Sequence, residues 1–324
     1  MTETADIAII GAGPTGLFAA YYAGFRGLKV VVIDSLPEAG GQITALYPEK
    51  QIFDVAGFPS IRGRDLVEQL VVQAGAFDPT YRLGVLADGL SYDGDRPQLT
   101  LSNGETWDCG ALIVTAGLGT FTARPLPAAA GFDGGGLVYF IPKLDALAGQ
   151  NVVIVGGGDS AFDWAHSLHG IAGSVTIVHR RDRFRAHEST VAAVQAMPVE
   201  IIVNAEITRL VATDGVVSGV EVIVADAAPR LLDAHTVVAA LGFTADLGPI
   251  AGWELKLDKR HIVVDSTMAT SRSRIFAAGD VCDYEGKVRL IATGFGEAAT
   301  AVNNAAHAIN PDARVSPGHS SDPH

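Results

Sequence analysis

The chain has 324 residues, 48% of them hydrophobic, and its 23 Lys+Arg against 36 Asp+Glu give a formal net charge of −13. That acidity excludes long-range attraction to nucleic acid, and apolar runs of four residues, such as "IAII", "VVVI" and "VVIV", fall far short of the roughly 18 needed to cross a bilayer. The length exceeds the roughly 250–300 residues at which a single core stops growing, so two domains are expected in a soluble protein.

The N-terminus "MTETADIAIIGAG" carries two acids and no basic segment, which argues against export and for a cytoplasmic location. The first predicted unit follows at once, in "DIAIIGAGPTGLFAAYYAGFRGLKVVVID": an apolar strand, a turn through Gly11, Gly13 and Gly16, an apolar helix, and a second strand ending at Asp34. The first glycine permits the tight turn, the second lets backbone N–H groups approach a pyrophosphate, and the third lets the helix lie close on the strand. Asp34 follows Gly11 by 23 positions, near the spacing of about 20 expected for a carboxylate that binds a ribose 2′-hydroxyl.

The two cysteines, Cys109 and Cys282, form no Cys-x-x-Cys pair, and the histidines show no metal-ligand spacing, so neither a dithiol nor a metal is expected. The strand–turn–helix–strand device recurs in "NVVIVGGGDSAFDWAHSLHGIAGSVTIVHRR", with Gly156, Gly158 and Ala161 at the G-x-G-x-x-A positions and Asp159 and Ser160 inside the same turn. The same 23 positions counted from Gly156 reach His179, followed by Arg180 and Arg181. A carboxylate there would repel a 2′-phosphate, whereas guanidinium groups bind it with paired, charge-assisted hydrogen bonds. Arg185 is expected to add a third contact, with Arg183 turned to solvent. One acid-ended and one arginine-ended site imply a held FAD and an exchangeable NADPH, with hydride transfer as the chemistry. Downstream, "VEIIVNAEITRLVATDGVVSGVEVIV" alternates apolar and polar residues around Asp-Gly, as a hairpin does.

The stretches "HRRDRFRA" and "SRIFAAGDVCD" resemble the NADP-phosphate and second FAD motifs of the FAD-dependent pyridine nucleotide reductases of the thioredoxin reductase-like group. The chain lacks that group's Cys-x-x-Cys. Instead "GGQITALYPEKQIFDVAGFP", "CDYEGKVRLIATGFGEAATAVNNAAHAINP" and the tail "ARVSPGHSSDPH" resemble the thioredoxin reductase-like type of ferredoxin/flavodoxin–NADP reductase. The resemblance implies an α/β fold of two Rossmann-like, doubly wound three-layer domains. It divides the chain into an FAD domain of residues 1–117 and 274–324, with a C-terminal tail from 311, and an inserted NADP domain of residues 118–273, with hinges near 117–120 and 271–273.

By the same resemblance, Thr15 and Asp34 lie at the adenosine-pyrophosphate end of FAD, Gln42 near the flavin, Ala87 at the adenine, Phe121 at the crossover and Asp280 at the ribityl chain. Tyr47 is implied to stack on one flavin face and His319 on the other, with Ser321 near the reactive end. The tail would come from the second subunit of a homodimer. Electrons would pass from NADPH through FAD to ferredoxin or flavodoxin. An NADPH oxidase or a disulfide-protein reductase of the same architecture, and a flavin redox sensor, remain as alternatives. A helix opening near Thr293–Glu297 would aim its N-terminus at the flavin, and Lys50, Arg62, Arg64, Lys287 and Arg289 are candidates for docking an acidic partner.

Overall fold

The structure, a computed structural model, describes residues 2–225 and 227–316, and of Phe121 the backbone alone. Its α-helices are α1 (Pro14–Phe25), α2 (Gln42–Leu46), α3 (Gly63–Gly75), α4 (Asp159–Leu168), α5 (Glu188–Gln195) and α6 (Ile291–Ile309). Contacts divide the chain into two compact units, one formed by residues 1–45, 51–121 and 245–324, the other by residues 46–50 and 122–244.

The first unit is built on a seven-stranded sheet. The strand Thr2–Ile10 runs parallel between Val30–Asp34 and Thr106–Val114, and Thr80–Leu83 and Ile275–Ala277 extend the parallel set. The antiparallel strands Arg96–Leu101 and Ala87–Asp93 finish one edge. Ile7, Ala8 and Ile9 are fully buried, as are Val31, Val32 and Ile33. Consecutive burial is what a parallel strand covered on both faces requires, and it explains the unbroken apolar runs. Helix α1 starts with Pro14, whose fixed φ suits the first helical position and whose missing N–H costs nothing there. Its buried face is Gly16, Leu17, Ala19, Ala20 and Ala23, small side chains that let the helix lie close to the sheet. In α6 the buried residues Gly294, Glu297, Ala298, Ala301, Val302 and Ala305 recur at helical spacing, forming one stripe.

The second unit carries a five-stranded parallel sheet in the order Leu137–Val138, Thr236–Ala239, Asn151–Val155, Ser174–Val178, Glu200–Ile202. Alternate residues of its strands serve different cores. Val152 and Ile154 pack with Phe162 and Trp164 of α4 on one face, while Val153 and Val155 pack on the other with Val217, Val220 and Val222. The latter belong to the antiparallel hairpin Ala205–Thr213 and Val216–Val224, to which Arg230–Asp233 adds a third strand. Asp214 and Gly215 turn that hairpin with φ of 51° and 77°, the two positive values that a type I′ turn needs. Helix layer, parallel sheet and hairpin layer make this unit a three-layer α/β structure.

The units differ from the sequence expectation at residues 46–50, which cluster with the second unit, and at residues 118–121 and 245–273, which cluster with the first. Residues 245–273 cluster with the first unit, because Leu247, Ile250, Trp253, Ile262 and Val264 are buried in the same core as the seven-stranded sheet. The second crossing of the chain therefore falls at Thr244/Ala245 rather than near 271–273. It lies in a two-stranded ribbon of Thr120–Ala123 with Phe243–Asp246, which also holds the first crossing at Phe121/Thr122. Among the described residues no helix is long and apolar enough to cross a membrane.

Candidate functional site

The two glycine turns are built alike. Gly11 N–H donates to Ile33 O at 2.8 Å and Gly156 N–H to Val178 O at 3.0 Å, which docks each turn onto the end of the neighbouring strand. Both have positive φ, 111° and 154°, and a Cβ on either would meet a backbone carbonyl oxygen, Thr115 O at 2.5 Å or Ala240 O at 2.4 Å. A Cβ on Gly16 would lie 1.8 Å from Gly11 O, so only glycine allows α1 to start so close to the strand. By contrast the middle positions face open space: a Cβ on Gly13 would come no nearer than 4.0 Å to Gly41 Cα, and one on Gly158 would meet nothing within 4 Å. Where no protein atom needs the room, the missing side chain leaves a bare backbone cradle of the kind a pyrophosphate fills.

In the first unit Asp34 ends its strand beside this cradle, accepting Ala12 N–H at 2.6 Å and Leu36 N–H at 2.8 Å. Burial pushes its carboxyl above the usual range, and the two N–H donors pull it back. Bonds from Val85 N–H to Asp34 O and from Gly84 N–H to Leu36 O fasten the segment that leads into buried Ala87 to the turn after Asp34. Gly40 N–H donates to Ala12 O at 2.8 Å, drawing the start of α2 to the first turn, and Gln42 at that start places its amide next to Gly117. Thr15 lies against Gly279 and Gly294, where Cβ atoms would stand 2.9 and 2.4 Å from its Oγ1. Thus the start of α1, the short 3-10 turn Gly279–Val281 and the first turn of α6 converge. Asp280, half-buried in that turn, has no hydrogen-bond or ion-pair partner among the described residues.

In the second unit the arginine segment folds back over the glycine turn. Arg185 N–H donates to Gly157 O at 2.7 Å, and the exposed Asp159 accepts the backbone N–H of His187 at 2.9 Å. The His179 ring covers Gly157, where a Cβ would lie 2.4 Å from the ring. Phe184 anchors the segment, its ring centroid 4.8 Å from that of Phe162 and 5.6 Å from that of His179. Burial pushes the His179 imidazole below its usual range, as do the charges of Arg180, Arg181 and Arg185, against the hydrogen bond that its Nε2–H donates to Arg183 O. Ala161 is buried in the α4 core, and Ser160 beside it is exposed. Arg180, Arg181, Arg183 and Arg185 are all exposed, and none pairs with a carboxylate among the described residues. Elsewhere Arg82, Arg96, Arg209, Arg230 and Arg289 each hold one. Unpaired guanidinium groups gathered at a glycine cradle are a site prepared for an anion.

The chain's own residues therefore fit two dinucleotides, one at each turn. A direct check is Gly158→Ala: nothing obstructs the new methyl group, so melting temperature should stay within about 2 °C of the parent, while the KM for NADPH should rise at least about tenfold. Unchanged NADPH kinetics would show that no phosphate approaches this backbone.

Tyr47 follows α2 directly and is half-buried, and residues 46–50 cluster with the second unit. His319 and Ser321 lie outside the described residues, as does the side chain of Phe121. The root of the tail is fastened: Arg26 donates to Arg314 O and Val315 O, both at 2.9 Å. The expected basic docking set is largely neutralised, because Lys50 pairs with Asp163, Arg62 with Asp65, Arg289 with Asp283 and Lys287 with Glu297. Glu297 belongs to the buried stripe of α6 rather than to its open N-terminus. The sequence reading missed Gly157 and Phe184 and gave Glu297 no role beyond a helix opening; of the three only Gly157 carried a signal, as the extra glycine of "GGGDS".

Both cysteines are buried and free, with thiols pushed up to about 12 chiefly by burial, so neither offers a ready thiolate.

Residues 5–307 match the family model described as pyridine nucleotide-disulphide oxidoreductase. The ferredoxin–NADP reductase of Salinispora tropica is 64% identical over 317 residues, covering 98% of both chains, and that of Frankia alni is 58% identical over 314 residues, covering 97% of this chain and 98% of the relative. Among solved structures, the thioredoxin reductase of T. acidophilum aligns with a TM-score of 0.77 at 26% identity, covering 93% of this chain and 97% of that one. The bacillithiol disulfide reductase of Staphylococcus aureus, at 16% identity and a TM-score of 0.72, shares the fold. With two nucleotide-type turns, no dithiol and full-length likeness to ferredoxin–NADP reductases, the chain belongs to the pyridine nucleotide-disulphide oxidoreductase family.

Proposed function

We propose that the protein is a ferredoxin–NADP reductase, carrying electrons between NADPH and ferredoxin through FAD held by the first unit. The observation that carries this reading is the pairing of two like turns with opposite ends: a half-buried carboxylate, Asp34, at one, and at the other four guanidinium groups, Arg180 to Arg185, that pair with no carboxylate among the described residues. Relatives at 58–65% identity that bear this name support it.

When bound, flavin supplies the chemistry of accepting a hydride from nicotinamide and passing on electrons singly. The chain supplies binding and orientation. The open backbone at Gly13 receives a pyrophosphate, Asp34 accepts from the adenosine ribose, and the free carboxylate of Asp280 accepts from the polyol chain. The first turn of α6 directs N–H groups that lack helical partners at the site, favouring negative charge there. In the second unit Gly158 and the α4 N-terminus receive the NADPH pyrophosphate. Arg180, Arg181 and Arg185 hold the 2′-phosphate, and His179, kept neutral, seals the turn. Flavodoxin as a second carrier, and a homodimer in which the second subunit's tail brings His319 and Ser321 over the flavin opposite Tyr47, complete the proposal. The two buried cysteines weigh against a disulfide substrate.

The test is anaerobic stopped-flow reduction of the purified protein by NADPH and by NADH, followed by mixing with oxidised ferredoxin. Fast bleaching by NADPH alone and fast reoxidation by ferredoxin are expected. Bleaching without electron transfer to ferredoxin, together with rapid oxygen consumption, would replace the reductase by an NADPH oxidase.

A further inference from the structure

Behind the Asp280 turn lies a charged cluster that this function does not use. Lys287 and Glu297 form an ion pair whose side chains are 2% and 4% exposed, whereas pairs such as Arg209–Glu221 and Arg230–Glu200 stand open to solvent. Glu297 Oε1 also accepts the Tyr284 hydroxyl at 2.7 Å. Its Oε2 accepts the backbone N–H of Gly279 at 2.7 Å and faces the Cys282 thiol at 3.6 Å. One carboxylate on α6 thus gathers four donors from the single segment 279–287. The Tyr284 hydroxyl is pushed upward, mainly by burial and then by its bond to Glu297, so it stays a donor.

A buried ion pair rarely stabilises a fold more than apolar residues of the same volume would, because desolvation offsets the attraction. Four donors on one carboxylate do, however, define a position. The part they hold is Gly279, whose φ of +81° and closeness to Thr15 leave the turn little freedom. Asp280, with its unpartnered carboxylate, is the next residue.

We propose that Glu297 is a positioning residue of the flavin site: with Lys287 and Tyr284 it clamps the Gly279–Asp280 turn to α6, so that Asp280 and the start of α1 meet the cofactor in one register. The proposal rests on the flavoprotein reading above and adds to it the reason for the "YEGK" segment and for a glutamate inside the apolar stripe of α6.

The test compares the parent holoenzyme with the double variant Glu297→Leu/Lys287→Met, which replaces the pair by apolar side chains of similar size, and with Glu297→Gln, which keeps the shape. Three quantities are measured: FAD release on dilution, followed by flavin fluorescence; the visible circular dichroism of bound flavin; and far-UV melting with FAD in excess. The double variant is expected to melt within about 5 °C of the parent, yet to release FAD at least about tenfold faster with an altered visible spectrum. Glu297→Gln should release FAD at a rate between the two but melt below both, because the buried Lys287 loses its counter-charge, and NADP+ binding should not change in either variant. Parent-like FAD release and visible spectrum in the double variant would overturn the clamp while leaving the flavoprotein reading intact. So would faster release matched by a collapse of melting temperature, which would make the pair merely structural. A parent that retains no FAD would overturn the flavoprotein reading and the clamp with it.

Discussion

Replacing Arg180, Arg181 and Arg185 together by alanine is expected to lower kcat/KM for NADPH by about 100- to 1,000-fold while leaving that for NADH within about threefold. A hydrogen bond to a charged group contributes about 1.5–3 kcal/mol, so losing two of them from a phosphate costs about 3–4 kcal/mol once solvent replaces part of the interaction. NADH has no 2′-phosphate and makes none of these bonds. The three side chains are exposed and pair with no carboxylate among the described residues, so their removal should not disturb the fold, and Arg183→Ala serves as a control with parent-like kinetics. Steady-state kinetics with both nucleotides at two ionic strengths decide the matter. Higher salt should weaken NADPH more in the parent than in the triple variant, since exposed charges are screened over a Debye length of about 10 Å at 0.1 M. Equal losses for NADPH and NADH would instead assign the arginines to the structure of the segment.

The second large effect concerns stability. Lys287→Met alone should destabilise the protein by about 3–5 kcal/mol, because it leaves the Glu297 carboxylate buried without its counter-charge. At about 2–4 °C per kcal/mol this is a fall in melting temperature of the order of 10 °C. Arg209→Ala also removes an ion pair, but there the arginine side chain is 65% exposed, and the melting temperature should fall by no more than about 2 °C. Thermal melts of the two variants beside the parent make the comparison. Burial, not the presence of an ion pair, sets the difference, and equal melting temperatures would mean that water reaches Lys287.

The elements nearest the nucleotide turns were legible in the residues themselves because their signals are local. A glycine with φ of +111° at position 11, a parallel strand buried on both faces, and a carboxylate 23 positions downstream follow from steric rules that act within one βαβ unit. The Asp214–Gly215 hairpin is legible for the same reason. Arg180 to Arg185 stood out because they begin at the offset where the first copy carries its carboxylate.

Contacts between distant segments had no such signal. Residues 245–268 carry apolar side chains that would suit either core, and only packing assigned Trp253 and Ile262 to the first sheet. Gly157 reads as one more glycine until His179, 22 positions on, is found lying against it. In the sequence Lys287 reads as one docking candidate among five basic residues, and Glu297 as part of a helix opening. Each was redefined by the other, because a charge leaves water only where a partner at close range offsets the loss of hydration. The sequence by itself thus determined the two nucleotide-type turns and the nature of the charge at each. The tertiary structure decided which charges are free to meet a ligand and which are spent inside the protein, since that depends on distances between residues the chain does not place side by side.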